Sequence, residues 1–299
     1  MNIKQFNNIV EVRTKLVSLV TFLSGSLYAF YRTGTWSWKI GLPMMFAVLF
    51  VDMGTTGFNT YFDYVNGTDT KEDNKEQDKV LVHDGVKPFQ ALLISLGLFM
   101  MAGILGLVLA FLTSWKLIPL GFICMVVGFS YTGGPFPISR TPLGELFAGG
   151  FLGTALFLLS FYVQTLFFDS EAFLSSLPFF FMVALILSVN NTCDMDADRK
   201  AGRRTLSIVL TERKASVLLY GELIAAHLLG IVLVMVKVYP LWLVVTTLFS
   251  VGFSLWQLLF LQKSGFSAKT KSSSMQVVSS MYGLFGVCFL FGLTLSLLC

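Results

Sequence analysis

The sequence predicts an all-α polytopic membrane protein with nine transmembrane helices. Three observations predict it. The 299 residues are 55% hydrophobic and only 13% charged, with a mean hydropathy of +0.75, whereas a soluble domain is nearer a quarter charged. The apolar residues come in long unbroken runs, not in the alternating pattern of an outer-membrane barrel. The basic residues gather beside every second end of those runs.

Taken in order, the runs cover about 16–31, 40–62, 89–111, 117–131, 143–168, 173–189, 215–236, 239–261 and 275–299. The first, fourth and sixth are short for a hydrocarbon layer of about 30 Å, so their polar ends are expected inside the membrane boundary, lining a cavity. With the N-terminus in the cytoplasm, the inner side collects the N-terminal arm and the loops near 63–88, 132–142, 194–214 and 262–274. Of the 21 Lys and Arg, all but Arg32, Lys39, Lys116 and Lys237 then lie inside. The positive-inside rule therefore favours nine spans, N-terminus in and C-terminus out. The first fifteen residues are mostly polar and lead into an ordinary span, which reads as no cleavable signal. Because the basic residues sit in short loops beside spans, nucleic acid is not an expected partner; the lipid bilayer is. Cys124, Cys193, Cys288 and Cys299 share no metal-ligand spacing and read as small core hydrophobes.

Two loops leave alternatives open. The stretch from Asp69 to Lys87 mixes both charges and is either a solvated connector or a partly helical cap over a polar site. The stretch from Arg199 to Lys214 either only fixes topology or also binds an anion, since Arg199, Lys200, Arg203 and Arg204 follow three carboxylates.

The chemistry concentrates at two helix ends. Asn190-Asn191-Thr192-Cys193-Asp194-Met195-Asp196-Ala197-Asp198 follows pure hydrocarbon, and Asn59-Thr60-Tyr61-Phe62-Asp63 ends the second run in a related way. An α-helix turns about 100° per residue, so Asn190, Asp194 and Asp198 share a face, with Asn191 on the same side and Asp196 pointing away. Asp52, Thr56, Asn59 and Asp63 form a second stripe. Carboxylate and amide oxygens suit hard cations, and Mg²⁺ takes one or two carboxylates and completes its shell with water and phosphate oxygens. Two such faces opposed would hold a pair of Mg²⁺ ions around a diphosphate. The plainer reading is that the acids cap helices or pair with basic loops; two matched motifs on one side weigh against it. His83 and His227, the only histidines, lie away from both faces, which excludes a His-rich metal site. The two motifs are four spans apart. One domain, 1–299, is expected, with two four-helix halves (1–131 and 143–261) around a central cavity plus a ninth helix.

Asn59-x-x-x-Asp63-x-x-x-Gly67-x-Asp69 and Asn190-Asn191-x-x-Asp194-x-Asp196-x-Asp198 resemble the two motifs of UbiA-type intramembrane aromatic prenyltransferases. Within that superfamily the likeness is to the 1,4-dihydroxy-2-naphthoate polyprenyltransferases of menaquinone biosynthesis. It is carried by Glu11-Val12-Arg13-Thr14-Lys15-Leu16, by Tyr131-Thr132-Gly133-Gly134-Pro135, by Pro137-Ile138-Ser139-Arg140-Thr141-Pro142-Leu143-Gly144-Glu145 and by Asp198-Arg199-Lys200-Ala201-Gly202-Arg203-Arg204-Thr205-Leu206. Where many members have Asp directly after the first Asn, this chain has Thr60, off the Asn59–Asp63 face; a retuned site is expected. The resemblance implies that Asn59 and Asp63 hold one Mg²⁺ and Asp194 and Asp198 another, with Asp63, Asp194 and Asp198 essential for catalysis. It implies transfer of a polyprenyl group from polyprenyl diphosphate to 1,4-dihydroxy-2-naphthoate, with loss of CO₂ and diphosphate, giving a demethylmenaquinol. The alternatives are a relative acting on 4-hydroxybenzoate or haem, and a polytopic transporter.

Further candidates for diphosphate or substrate contact are Asn190, Asn191, Asp69, Lys71, Tyr131, Arg140, Lys200 and Arg203. Arg13 is either a contact or an interfacial anchor. Asp52, at mid-membrane, is either an acceptor-orienting group or base or a hydrogen-bonded interior acid. Glu222 and His227 are expected to make interior hydrogen bonds.

Overall fold

The computed structural model describes residues 1–69 and 79–299. Every regular element among them is helical. Helix α1 (Ile3–Ile9) starts at a reciprocal cap, in which the Asn2 side chain accepts from the Gln5 N–H at 2.8 Å and the Gln5 side chain accepts from the Asn2 N–H at 2.9 Å. A single 3₁₀ turn, Val12–Lys15, leads into α2 (Leu16–Thr33), which Gly34 ends in the left-handed region at φ 67°. Then follow α3 (Trp38–Val65), the short α4 (Val80–His83), α5 (Pro88–Leu112), whose proline takes the first helical position where no N–H is needed, and α6 (Leu117–Ser130).

The fifth apolar run is not one regular helix. It is α7 (Gly144–Ala148), a π segment (Gly149–Ala155) and α8 (Leu156–Thr165) in sequence. The π segment lies against the backbone of α9 (Ser170–Cys193): a Cβ on Gly149 would stand 2.6 Å from the Phe180 carbonyl oxygen, and one on Gly153 would stand 2.7 Å from the Phe180 Cα. Beyond α9 come α10 (Met195–Lys200), α11 (Leu206–Leu210), α12 (Glu212–Met235), α13 (Trp242–Ser264) and α14 (Lys271–Leu298).

All nine apolar runs are thus helical. Among the described residues, seven helices are long and apolar enough to cross a membrane, and α6 is a shorter apolar helix. Helix α3 packs on α5 and α5 on α6; α2 packs on α8, α9 on α12, and α14 on both α13 and α2. The largest apolar core joins Tyr28, Phe157, Phe179, Phe285 and Phe289 at the meeting of α2, α8, α9 and α14. Large apolar side chains such as Phe111, Phe122, Phe249 and Trp256 stay exposed, the mark of a multi-pass membrane protein with lipid-facing surfaces.

A smaller cluster joins Ile9, Val10, Val80, Leu81, Val86 and Ala91. It fastens the N-terminal arm to α4 beneath α3 and α5. Thr60 belongs to this fastening, donating from Oγ1 to the Ile9 carbonyl at 2.9 Å. The residue that departs from the family pattern therefore ties α3 to the arm.

Candidate active site

A cavity of about 2170 Å³ runs between the helices. Its deep walls are apolar, with Met44, Val48, Leu109, Leu117, Phe151 and Leu156; its other end is lined by Asn59, Asp63, Asp69, Asn190, Asp194, Asp198 and Arg203. The two acidic stretches therefore share one chamber.

Local structure explains how. Helix α3 carries Asn59 and Asp63 one turn apart. Helix α9 ends at Cys193, and Asp194 leaves helical geometry at φ −93°, ψ 4° before α10 begins. The bonds from the Asp194 N–H to the Asn190 carbonyl (3.0 Å) and from the Asp198 N–H to the Asp194 carbonyl (2.8 Å) carry the ladder across the bend. Hence Asn190, Asp194 and Asp198 all reach the cavity, although the straight helix expected from the spacing is broken between them. Asp196 turns outward and pairs with Arg199 at 3.5 Å.

Gly202 closes α10 at φ 70°, and the Arg203 N–H returns to the Asp198 carbonyl at 2.9 Å. That reversal folds Arg203 back over the acids. Its guanidinium donates to Asp63 Oδ1 and lies 3.3 Å from Asp198 Oδ1, bridging the two motifs. Lys271, the first residue of α14, pairs with Asp194 Oδ2 at 2.8 Å. Burial, with Asp194 adding to it, outweighs Arg203 and pushes the Asp198 carboxyl up to about 6. Burial alone would lower the Arg203 guanidinium, but Asp63 and Asp198 raise it further.

Asp198 is 4% exposed and, among the described residues, its Oδ2 has no hydrogen-bond partner, an orphaned carboxylate oxygen facing a polar chamber. That oxygen, with Asn59, Asp63 and Asp194 in the same wall, is a donor set that fits a hard cation. Among the described residues no three His, Cys, Asp or Glu side chains already converge as a cage; cations of the chain itself stand between the carboxylates.

The other candidates divide. Asp69 lines the chamber and pairs with Lys79 at 3.5 Å. Tyr131 lines it at the end of α6, and Arg13 lines it while staying exposed. Asp52 lines it too, but not alone: it pairs with Lys15 at 2.8 Å. Three of the candidates lie off the cavity wall. Asn191 donates to buried Glu145 at 2.8 Å, on the side that the helix packs against α7. Arg140 donates to the Ala201 carbonyl at 2.6 Å and so braces the turn that carries Arg203. Lys200 is exposed and off the cavity wall. Lys71 lies outside the described residues. Glu222 accepts from Ser188 at 3.0 Å, and His227 bonds the Leu223 carbonyl at 2.9 Å, both in the interior. Sequence reasoning missed Lys271 and Lys15; position in an inner loop and in the Arg13-Thr14-Lys15 stretch was their sole signal.

The family described as UbiA prenyltransferase matches residues 18–282. The chain is 34% identical over 235 residues to a 1,4-dihydroxy-2-naphthoate octaprenyltransferase of Bacillus subtilis (strain 168), covering 79% of this chain and 75% of that one. It is 29% identical over 207 residues to a protein of the same description from Mycobacterium tuberculosis, covering 69% and 70%. A UbiA homologue from Archaeoglobus fulgidus, solved bound to DMAPP and Mg²⁺, matches with a TM-score of 0.67 over 96% of this chain and 99% of that one; at 14% identity this is a likeness of fold.

Proposed function

The chain belongs to the UbiA prenyltransferase family, and from that premise we propose that it transfers a polyprenyl group from polyprenyl diphosphate to 1,4-dihydroxy-2-naphthoate, releasing diphosphate and CO₂ and giving the demethylmenaquinol of menaquinone biosynthesis. The observation that carries the reading is the meeting of Asp63 and Asp198, from two distant helices, on one guanidinium at the polar end of a long apolar cavity. Relatives described as 1,4-dihydroxy-2-naphthoate octaprenyltransferases support the acceptor.

Asn59 and Asp63 would hold one Mg²⁺, and Asp194 and Asp198 a second. Bound there, Mg²⁺ supplies charge neutralisation that makes diphosphate a leaving group. Arg203 and Lys271 lie against the same carboxylates, so a diphosphate drawn to this end meets two fixed cations of the chain. The apolar depth of the cavity takes the prenyl chain and excludes water, which would otherwise capture an allylic cation. Phe147 and Phe151 present a stacked pair in that wall, 5.9 Å apart with planes 3° from parallel. A ring face there stabilises passing positive charge by about 0.5–2 kcal/mol.

The architecture belongs to the same proposal: nine crossings of the cytoplasmic membrane, N-terminus inside, two four-helix halves plus a ninth helix, and an active site open to the cytoplasm. The placement of the basic residues supports it. Purified protein with Mg²⁺, a polyprenyl diphosphate and 1,4-dihydroxy-2-naphthoate should yield a prenylated naphthoquinol and one CO₂ per turnover. Turnover of 4-hydroxybenzoate alone would overturn the naphthoate acceptor.

A further inference from the structure

The cavity wall holds a second polar group, which diphosphate chemistry does not use. Lys15 is 7% exposed, and its ammonium pairs with Asp52 Oδ1 at 2.8 Å, bonds Thr56 Oγ1 and lies 3.4 Å from the Asp52 carbonyl. Ser18 donates to the other carboxylate oxygen, Asp52 Oδ2, at 2.7 Å. Lys15, Asp52 and Thr56 all line the cavity.

The chain goes out of its way to put them there. Asp52 is thirteen residues, about 20 Å, from the end of α3 at Val65, yet the start of α2 lies beside it. The 3₁₀ turn Val12–Lys15 brings the arm that deep, and Glu11 adopts a left-handed φ of 47° just before it. A non-glycine residue held there is a strain that the surroundings must overcome. A tie between two helices needs only hydrocarbon, and an ion pair at mid-membrane is costly where apolar packing would serve.

Height along α3 says what the group can reach. Thr56 is three residues below Asn59, about 4.5 Å, and Asp52 is seven below, about 10 Å. With the allylic carbon beside the diphosphate end, the reacting ring carbon about 3–3.5 Å beyond it and the neighbouring ring hydroxyl beyond that reach into this interval, toward Thr56, Lys15 and Asp52.

We propose that Lys15 and Asp52 form the docking point for a ring hydroxyl of the aromatic acceptor and activate it as an aryloxide. This rests on the acceptor reading of the proposed function. The acceptor O–H bond breaks and its proton passes to Asp52 Oδ2, displacing the hydrogen bond from Ser18. The aryloxide is held by the Lys15 ammonium and the Thr56 hydroxyl. Its electron pair, delivered through the ring carbon that bears the carboxylate, forms the bond to the allylic carbon while the carbon–oxygen bond to diphosphate breaks and diphosphate keeps that pair. Loss of CO₂ returns its bonding pair to the ring, restoring the aryloxide, which takes the proton back from Asp52. A ring that offers no hydroxyl leaves this buried pair unanswered, so the pair also selects hydroxylated acceptors.

The test uses the whole protein with Mg²⁺ and unreactive geranyl thiodiphosphate, titrated with 1,4-dihydroxy-2-naphthoate kept reduced and with 2-naphthoate, which lacks both hydroxyls. Wild type should bind the dihydroxy acid about tenfold or more tighter than 2-naphthoate. In Asp52→Asn and in the uncharged double variant Lys15→Met/Asp52→Asn, that preference should fall to within about twofold, with thiodiphosphate affinity unchanged. The double variant leaves no lone charge in the membrane, so loss of folding does not obscure the result. Variants that keep the wild-type preference overturn the assignment, as does a parallel loss of thiodiphosphate affinity, which marks a structural role. Wild type that binds both acids equally overturns the assignment and leaves the acceptor reading standing. Wild type that binds neither acid overturns the acceptor reading and this assignment with it.

Discussion

At the scale of residues, the site is a balance of charges drawn from separate parts of the chain. Asp63 and Asp198 share Arg203, and Asp194 has Lys271. Removing Arg203 leaves two part-buried carboxylates facing each other, and breaking such a pair costs about 3–5 kcal/mol. Arg203→Gln should therefore lower the melting temperature of chelator-treated protein, and Mg²⁺ should raise it by a larger increment than in wild type. Thermal unfolding with and without Mg²⁺ measures both; equal increments would show that Arg203 does not stand in the place of a cation. Asp63→Ala and Asp194→Ala should each reduce turnover by about a hundredfold or more, the scale of several kcal/mol of lost charge stabilisation, while the protein stays folded in the membrane. Chelation should stop wild-type turnover and Mg²⁺ restore it. Full activity of either alanine variant would sink the metal assignment.

At the scale of elements, three departures from regularity aim the side chains. The bend at Asp194 turns α10 so that Asp198 meets Asp63 through Arg203. The left-handed Gly202 brings Arg203 back over Asp198. The π segment Gly149–Ala155 adds a residue to its turn where its glycines meet α9, and it presents Phe151 to the cavity. In Gly153→Ala the new Cβ would meet backbone atoms of Phe179 and Phe180 at 2.7–2.8 Å, which no rotamer change relieves. Overpacking of that kind costs about 1–3 kcal/mol, so the variant should melt several degrees lower. Gly150→Ala, on open space in the same turn, is the control and should melt near wild type; equal losses in both variants would show that close approach to α9 is not the cause.

At the scale of the whole molecule, an odd number of crossings has a direct readout. Cys299 is exposed at the end of α14, whereas Cys193 and Cys288 are buried. With nine crossings and the N-terminus inside, a membrane-impermeant thiol reagent should label Cys299 on intact cells; labelling only after lysis would make the crossings even or invert the orientation. Hydrocarbon runs, their lengths and the placement of Lys and Arg are properties of local sequence, and they made the helical membrane class legible without any contact being known. The acidic stripes were legible for the same reason, since a helical period assigns Asn59 and Asp63, or Asn190 and Asp194, to one face. A period does not say what stands opposite that face. The contact of Asp63 with Arg203, 140 residues away, the capture of Asp194 by Lys271, the turning of Asn191 to Glu145 and the burial of Lys15 against Asp52 were decided by packing alone. The physical reason is range: hydrophobicity and helical phase act within a few residues, whereas the partner of a buried charge is whichever group the completed bundle brings within about 3 Å of it.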